Sequence, residues 1–463
     1  MSQPAALRPH PSLGFYLRQL RQPLRESLWF VPALMVLASF GLAYTVVQFD
    51  QANSAQGLRR LPLLFGIDAG GASGMLSAIA GSMLTVAALT FSLLLAVLAQ
   101  VSNQYSPRAL RNFMRDRVNQ VVLGYFVSVF TYCLVVLGTI RSVVGGNQVG
   151  LTQFVPTTAV LLALALALGG VGALVFFVHH VAEALQTGTL LRTISLETEA
   201  EIELLFPDRI GQPVPEAEQA AAKAFVARHG WQVVPSDRAG YLQRIDAAGL
   251  LRWAQQHRTV VRLDVAVGSF VGEGQPLFGV RAGMERAGAP EAAETPADWP
   301  NDLMRYVGIG RHRNPAQDVA FGLQQLVDIA LKALSPAIND TTTAIMAVDY
   351  LGELGGRLAR RDFPNPLRSD GQHLRVLVRV PDFDDYIRLA FDLIRANALT
   401  NPAVLRRMLG AFALIGRQTA LPERHRILRE QADLLLAGAQ ANLPYPYERQ
   451  QVEAAHAELS DAW

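Results

Sequence analysis

The chain has 463 residues, a net charge of +2 and an apolar share of 51%. That share is high for a soluble protein and low for one that is membrane throughout, so a mixed plan is expected. Lysine occurs only at Lys223 and Lys332, and no basic stripe with interleaved aromatics marks a nucleic-acid surface.

Leu28 to Phe49 is uncharged and, at about 1.5 Å per residue, long enough to cross a hydrocarbon core of ~30 Å. Similar runs follow at Met75 to Val101, Val121 to Ile140 and Phe154 to Val178, predicting four transmembrane helices. The first run is too long for a signal peptide, and Ala52-Asn53-Ser54 is a poor cleavage site, so it is read as an anchor. Cys133, the single cysteine, lies in the third run, where it has no intrachain partner and suits packing rather than redox chemistry.

Arginines set the direction, because basic residues stay on the cytoplasmic side. Arg8, Arg18, Arg21 and Arg25 in the tail join Arg108, Arg111, Arg115 and Arg117 in the second connection, against Arg59, Arg60 and Arg141 on the other side. Eight against three places both termini in the cytoplasm of a bacterial inner (plasma) membrane, with everything after His180 on that side. In the second run Ser77, Gly81, Thr85, Ala88 and Ser92 recur at helical spacing. Such a face is either a close-packed helix interface or the polar wall of a pore, with Arg108, Arg111, Arg115 and Arg117 at its inner mouth or on lipid headgroups. His179 and His180 end the fourth run, either snorkelling to the interface or sensing pH.

Val181 to Leu205 continues as a charged helix until Pro207, Pro213 and Pro215 break it, and Glu216 to His229 reads as a short amphipathic helix. Trp231 to Val234, Tyr241 to Ile245, Thr259 to Leu263 and Leu277 to Val280 read as strands. The stretch Val267 to Leu277 carries glycines at 268, 272 and 274, with Phe270, Val271 and Leu277 expected in the core. It resembles the turn of barrel-sandwich modules, the fold of biotinyl and lipoyl carriers, but has no lysine to modify, so no covalent cofactor is expected.

Arg281 to Pro300 reads as a linker. Asn314-Pro315-Ala316-Gln317 looks like a helix start, with Asn314 as N-cap of a helix reaching Leu334, and Asn339 or Asp340 can cap the next, toward Leu358. His373 to Val380 alternates as a half-buried strand. Pro381 to Asn397, Asn401 to Arg417, Pro422 to Gly438 and Tyr447 to Leu459 read as helices. The fold expected is an integral membrane α-helical protein with a cytoplasmic α+β region: tail 1–27, four-helix transmembrane domain 28–180, helical connector 181–230, small β-module 231–283, linker 284–300, and a mostly helical module 301–463 with one strand near 373–380.

No Walker loop, metalloprotease histidine pair or nucleophile elbow is present, so no catalytic, cofactor or metal residue is assigned. Arg311, His312 and Arg313 form a basic cluster that is a candidate anion contact. Asp328 stands among Leu326, Val327 and Ile329 with Lys332 one turn on, and a structural ion pair is expected.

Two further blocks carry a resemblance. Gln104-Tyr105-Ser106-Pro107-Arg108 with Arg115-Asp116-Arg117-Val118-Asn119-Gln120, and Asp318-Val319-Ala320-Phe321-Gly322 through Ala333-Leu334-Ser335-Pro336-Ala337-Ile338-Asn339-Asp340, are similar to predicted bacterial membrane proteins grouped as domain of unknown function 2254. The resemblance implies architecture and location and carries no catalytic residue. The function expected is an oligomeric channel- or transporter-like assembly whose partners are the lipid bilayer, further copies of the chain and an unidentified ion or small ligand. The alternative is a membrane scaffold or sensor that binds a protein or small ligand through its cytoplasmic domain.

Overall fold

The computed structural model describes residues 27–53, 68–104, 116–140, 154–206, 212–214, 216–227, 230–282 and 299–460. The chain divides into two compact units, with the boundary between Gln186 and Thr187.

The first unit holds α1 (Phe30–Asn53), α2 (Ala69–Gln104), α3 (Arg117–Leu137) and α4 (Thr157–Ala184). All four are long and apolar enough to cross a membrane. α3 is the central helix, burying Phe126, Val129, Tyr132, Cys133 and Val136 against the other three. Gly124 lets α1 approach α3: a Cβ there would lie 3.0 Å from the Pro32 Cα. The Tyr125 and Tyr132 hydroxyls donate to the carbonyls of Leu166 and Ala159, tying α3 to α4. Outward-facing Leu37, Phe40, Leu89, Leu168 and Val175 give the unit an apolar exterior that suits lipid better than water.

The second unit carries α5 (Thr187–Leu205), α6 (Glu216–Ala227), α7 (Ala247–Gln256), α8 (Trp299–Met304), α9 (Val319–Ala333), α10 (Thr341–Leu358), α11 (Phe383–Asn397), α12 (Pro402–Gly416), α13 (Pro422–Asn442) and α14 (Pro446–Ser460). Its strands are β1 (Gln212–Pro213), β2 (Gln232–Pro235), β3 (Gly240–Ile245), β4 (Thr259–Leu263), β5 (Phe270–Val271), β6 (Pro276–Ala282), β7 (Val307–Gly310), β8 (Leu367–Ser369) and β9 (Leu374–Val378). They form a six-stranded sheet in the order β1-β8-β9-β4-β6-β2 and a three-stranded sheet β5-β3-β7. Every pairing is antiparallel except β4 with β9.

The two-residue period of a strand sends successive side chains to opposite faces. Val261, Leu263 and Val376 accordingly join a core with Trp253, Leu277, Phe278 and Tyr306, while Val260 and Leu377 join a smaller one with Phe225 of α6. The β-rich and helical parts are therefore not sequential modules split near residue 300. β7, β8 and β9 follow that point and complete sheets begun before it, because strands buried on both faces need neighbours that the segment 231–283 lacks.

Candidate functional site

On α2 the face carrying Ser77, Gly81, Thr85, Ala88 and Ser92 is exposed, while Leu76, Ile79, Ala80, Met83, Ala87 and Leu94 are buried within the unit. A Cβ on Gly81 would meet nothing within 4 Å. The small side chains therefore do not serve contact among the four helices. The Thr85 hydroxyl donates back to the Gly81 carbonyl at 2.9 Å.

Arg108, Arg111 and Arg115 lie outside the described residues, as do the arginines of the tail and of the first and third connections; Arg117 opens α3. Asp116 caps that helix, accepting from Val118 N at 2.9 Å, and its other oxygen is 2.5 Å from His180 Nε2. His180 also stacks on Phe176, whereas His179 is exposed. The two histidines are thus not equivalent.

The Arg311, His312 and Arg313 cluster is split. Arg311 and His312 are exposed, but Arg313 donates through two nitrogens to both oxygens of Asp318, each at 2.9 Å, and lies over the Phe321 ring. Its charge is committed inside the protein, which removes it as an anion contact. Asp318, not Asn314, is the N-cap, accepting from Phe321 N at 3.0 Å, so the helix begins at Val319. Burial pushes the Asp318 carboxyl up, and Arg313 and the Phe321 amide pull it back only in part. The preceding turn is held from afar: Gln317, at φ 58°, exchanges two side-chain hydrogen bonds with the backbone of Ile245, and its amide donates to Glu201. Gly268, at φ +87°, packs directly on the ion pair, where a Cβ would fall 2.3 Å from Asp318 Oδ2. The glycine-punctuated turn and the α9 block quoted above therefore meet at one point.

Beside it lies a crevice at the carboxyl ends of β4 and β9. Leu263 and Val378 are register partners, so the next residues, Asp264 and Arg379, stand together beyond the strands. Two adjoining cavities of about 340 and 490 Å³ share these two residues. The larger is walled by Phe270, Val380, Pro381 and Leu389, with Ser269, Gln275, Asp385 and Tyr386 as its polar groups. Phe270 is 57% exposed, so of the three residues expected in the core only Val271 and Leu277 are there. Sequence reasoning did not single out Asp264 or Arg379. The available signal was a charge placed immediately after each of two apolar strands.

Asp328 and Lys332 are both half-buried on α9, but the amide of Gln324, one turn earlier, donates to Asp328 at 3.0 Å, and among the described residues Lys332 forms no ion pair. The Asp328–Lys332 ion pair expected from the sequence is therefore not made: the neutral Gln324 amide meets the short aspartate first. Among the described residues no group of three histidine, cysteine or acidic side chains is arranged to hold a metal ion.

Four helices long and apolar enough to cross a membrane, followed by a mixed α/β unit, are the build of a membrane protein. The family model described as predicted membrane protein (DUF2254) matches residues 25–413, and the chain belongs to that family. It is 31% identical over 443 residues to uncharacterized proteins of Mycobacterium tuberculosis and Mycobacterium bovis, a match covering 95% of this chain and 81% of theirs. No solved structure matches.

Proposed function

We propose that the chain is a subunit of an oligomeric channel- or transporter-like assembly of a bacterial inner membrane, with both termini and the whole second unit in the cytoplasm. The observation that carries this reading is the small, partly polar α2 face turned away from α3 and α4. In lipid there is little hydrophobic drive between helices, and association depends on close backbone approach and on polar contacts that small residues permit. Copies meeting along this face would put Ser77, Thr85 and Ser92 at or near their shared axis. The arginine asymmetry of the connections supports the orientation.

The test is mass measurement in lipid nanodiscs together with ion flux through sealed liposomes. Wild type is expected to be oligomeric and conducting, and Gly81→Leu to lose both while keeping its fold, since that position is open in the single unit. A wild-type monomer without flux overturns the proposal. The crevice at β4 and β9 favours a second reading, a membrane receptor for a small ligand, which predicts binding without flux.

A further inference from the structure

We propose that the crevice at the carboxyl ends of β4 and β9 binds a small organic anion, a carboxylate or phosphate monoester attached to an apolar body. This inference is independent of the α2 face. In open α/β sheets, ligands collect beyond the carboxyl ends of parallel strands, where the chain turns away and leaves a gap. Here the single parallel pairing among the described strands has such a gap on both sides of Arg379.

Charge accounting selects the ligand's sign. Asp264 is adjacent to Arg379 but is already held by Arg262 of its own strand, Nε to Oδ1 at 2.5 Å and a second nitrogen to Oδ2 at 3.3 Å. Asp385 lines only the larger cavity and keeps its negative charge, one oxygen accepting from the Asp382 amide in the capping box of α11. The junction of the two cavities is therefore shared by Asp264 and Arg379 alone. Arg379 is exposed and makes no ion pair among the described residues. The uncommitted charge where the two cavities join is thus a guanidinium, whose planar fork takes carboxylate or phosphate through two hydrogen bonds. The apolar body follows from the walls. Phe270 is exposed next to Val380, Pro381 and Leu389, and filling the larger cavity would cover that apolar surface.

The experiment is ligand-observed NMR on the full chain in nanodiscs, with a panel of benzoates, phenyl phosphates and medium-chain fatty acids. The matching benzamides and inorganic phosphate serve as controls. Members of the acid panel are expected to bind. Arg379→Gln should weaken them about tenfold or more, Arg379→Lys less, and Phe270→Ala should weaken those with aromatic bodies. Arg379 and Phe270 are both exposed, so these variants should melt like wild type. Carboxylates and phosphate monoesters are compared separately to show which acid the crevice prefers. The proposal is overturned if no acid binds, if Arg379→Gln binds as wild type does, if benzamides bind equally well, or if signals change only in nanodiscs of anionic lipid.

Discussion

Asp50 caps a helix that begins 107 residues after it. Its Oδ1 accepts from Thr158 N at 3.3 Å and its Oδ2 from Ala159 N at 3.0 Å, at the start of α4. The residue in the N-cap position of α4 is Pro156, whose side chain makes no capping bond, so a carboxylate at the end of α1 supplies what the local sequence omits. Asp50→Ala should destabilise the full chain by about 1–2 kcal/mol, and Asp50→Asn by less because one acceptor oxygen remains. Thermal melting in detergent measures both. Equal stability of wild type and Asp50→Ala would show that the capping bonds contribute nothing.

Gly268→Ala should be among the most damaging single-methyl additions in the second unit. It combines a positive φ with a Cβ 2.3 Å from Asp318 Oδ2 and 2.7 Å from an Arg313 nitrogen. Separating a buried ion pair of this kind costs about 3–5 kcal/mol, whereas Gly274→Ala, with open space around the Cβ, carries only the backbone strain of φ +77°. Comparing the denaturant midpoints of the two variants isolates the ion pair, and similar midpoints would refute its importance.

Asp370 should make stability depend on acid pH. Burial works to raise its carboxyl, but the Arg375 guanidinium at 2.7 Å and the His373 and Gln372 amides outweigh it and hold it below the usual carboxylate range. A folded value below the unfolded one means the stabilisation is present above about pH 4, the unfolded value, and is lost as pH falls through the folded value. Asp370→Asn is therefore expected to cost about 1.5–3 kcal/mol at pH 7, with the gap to wild type closing in acid. A gap that stays constant with pH would assign the loss to packing instead.

Local pattern revealed much of the architecture because most elements obey local rules. The uncharged runs became α1 to α4, the alternation at His373 to Val380 became β9, and Asp340 caps α10. What escaped depends on distance in the chain. The Asn314-Pro315 signal is a genuine turn motif, but Gln317 is held in a left-handed conformation by Ile245, and that contact moves the helix start to Val319. β7 is four residues long with two glycines, and only its partner β3 makes it a strand. α7 falls between two predicted strands and is short, although Asp246 caps it and Leu250, Trp253 and Ala254 recur at helical spacing. For the crevice, each half of the pair Asp264 and Arg379 is an ordinary strand-end charge, and only the parallel register brings them together.

That register also constrains how the protein is made. Val261 must wait for Val376, and Gln212 for Ser369, so β4, although paired with β6 early, has no partner along its other edge until most of the second unit has left the ribosome. The four apolar helices are synthesised first and can be handed to the insertion machinery while β2, β4 and β6 still expose an unfinished edge. Truncation anywhere before β9 would leave that edge open, so shortened nascent chains are expected to be clients of chaperones and proteases, whereas every strand of both sheets is present once β9 has been made.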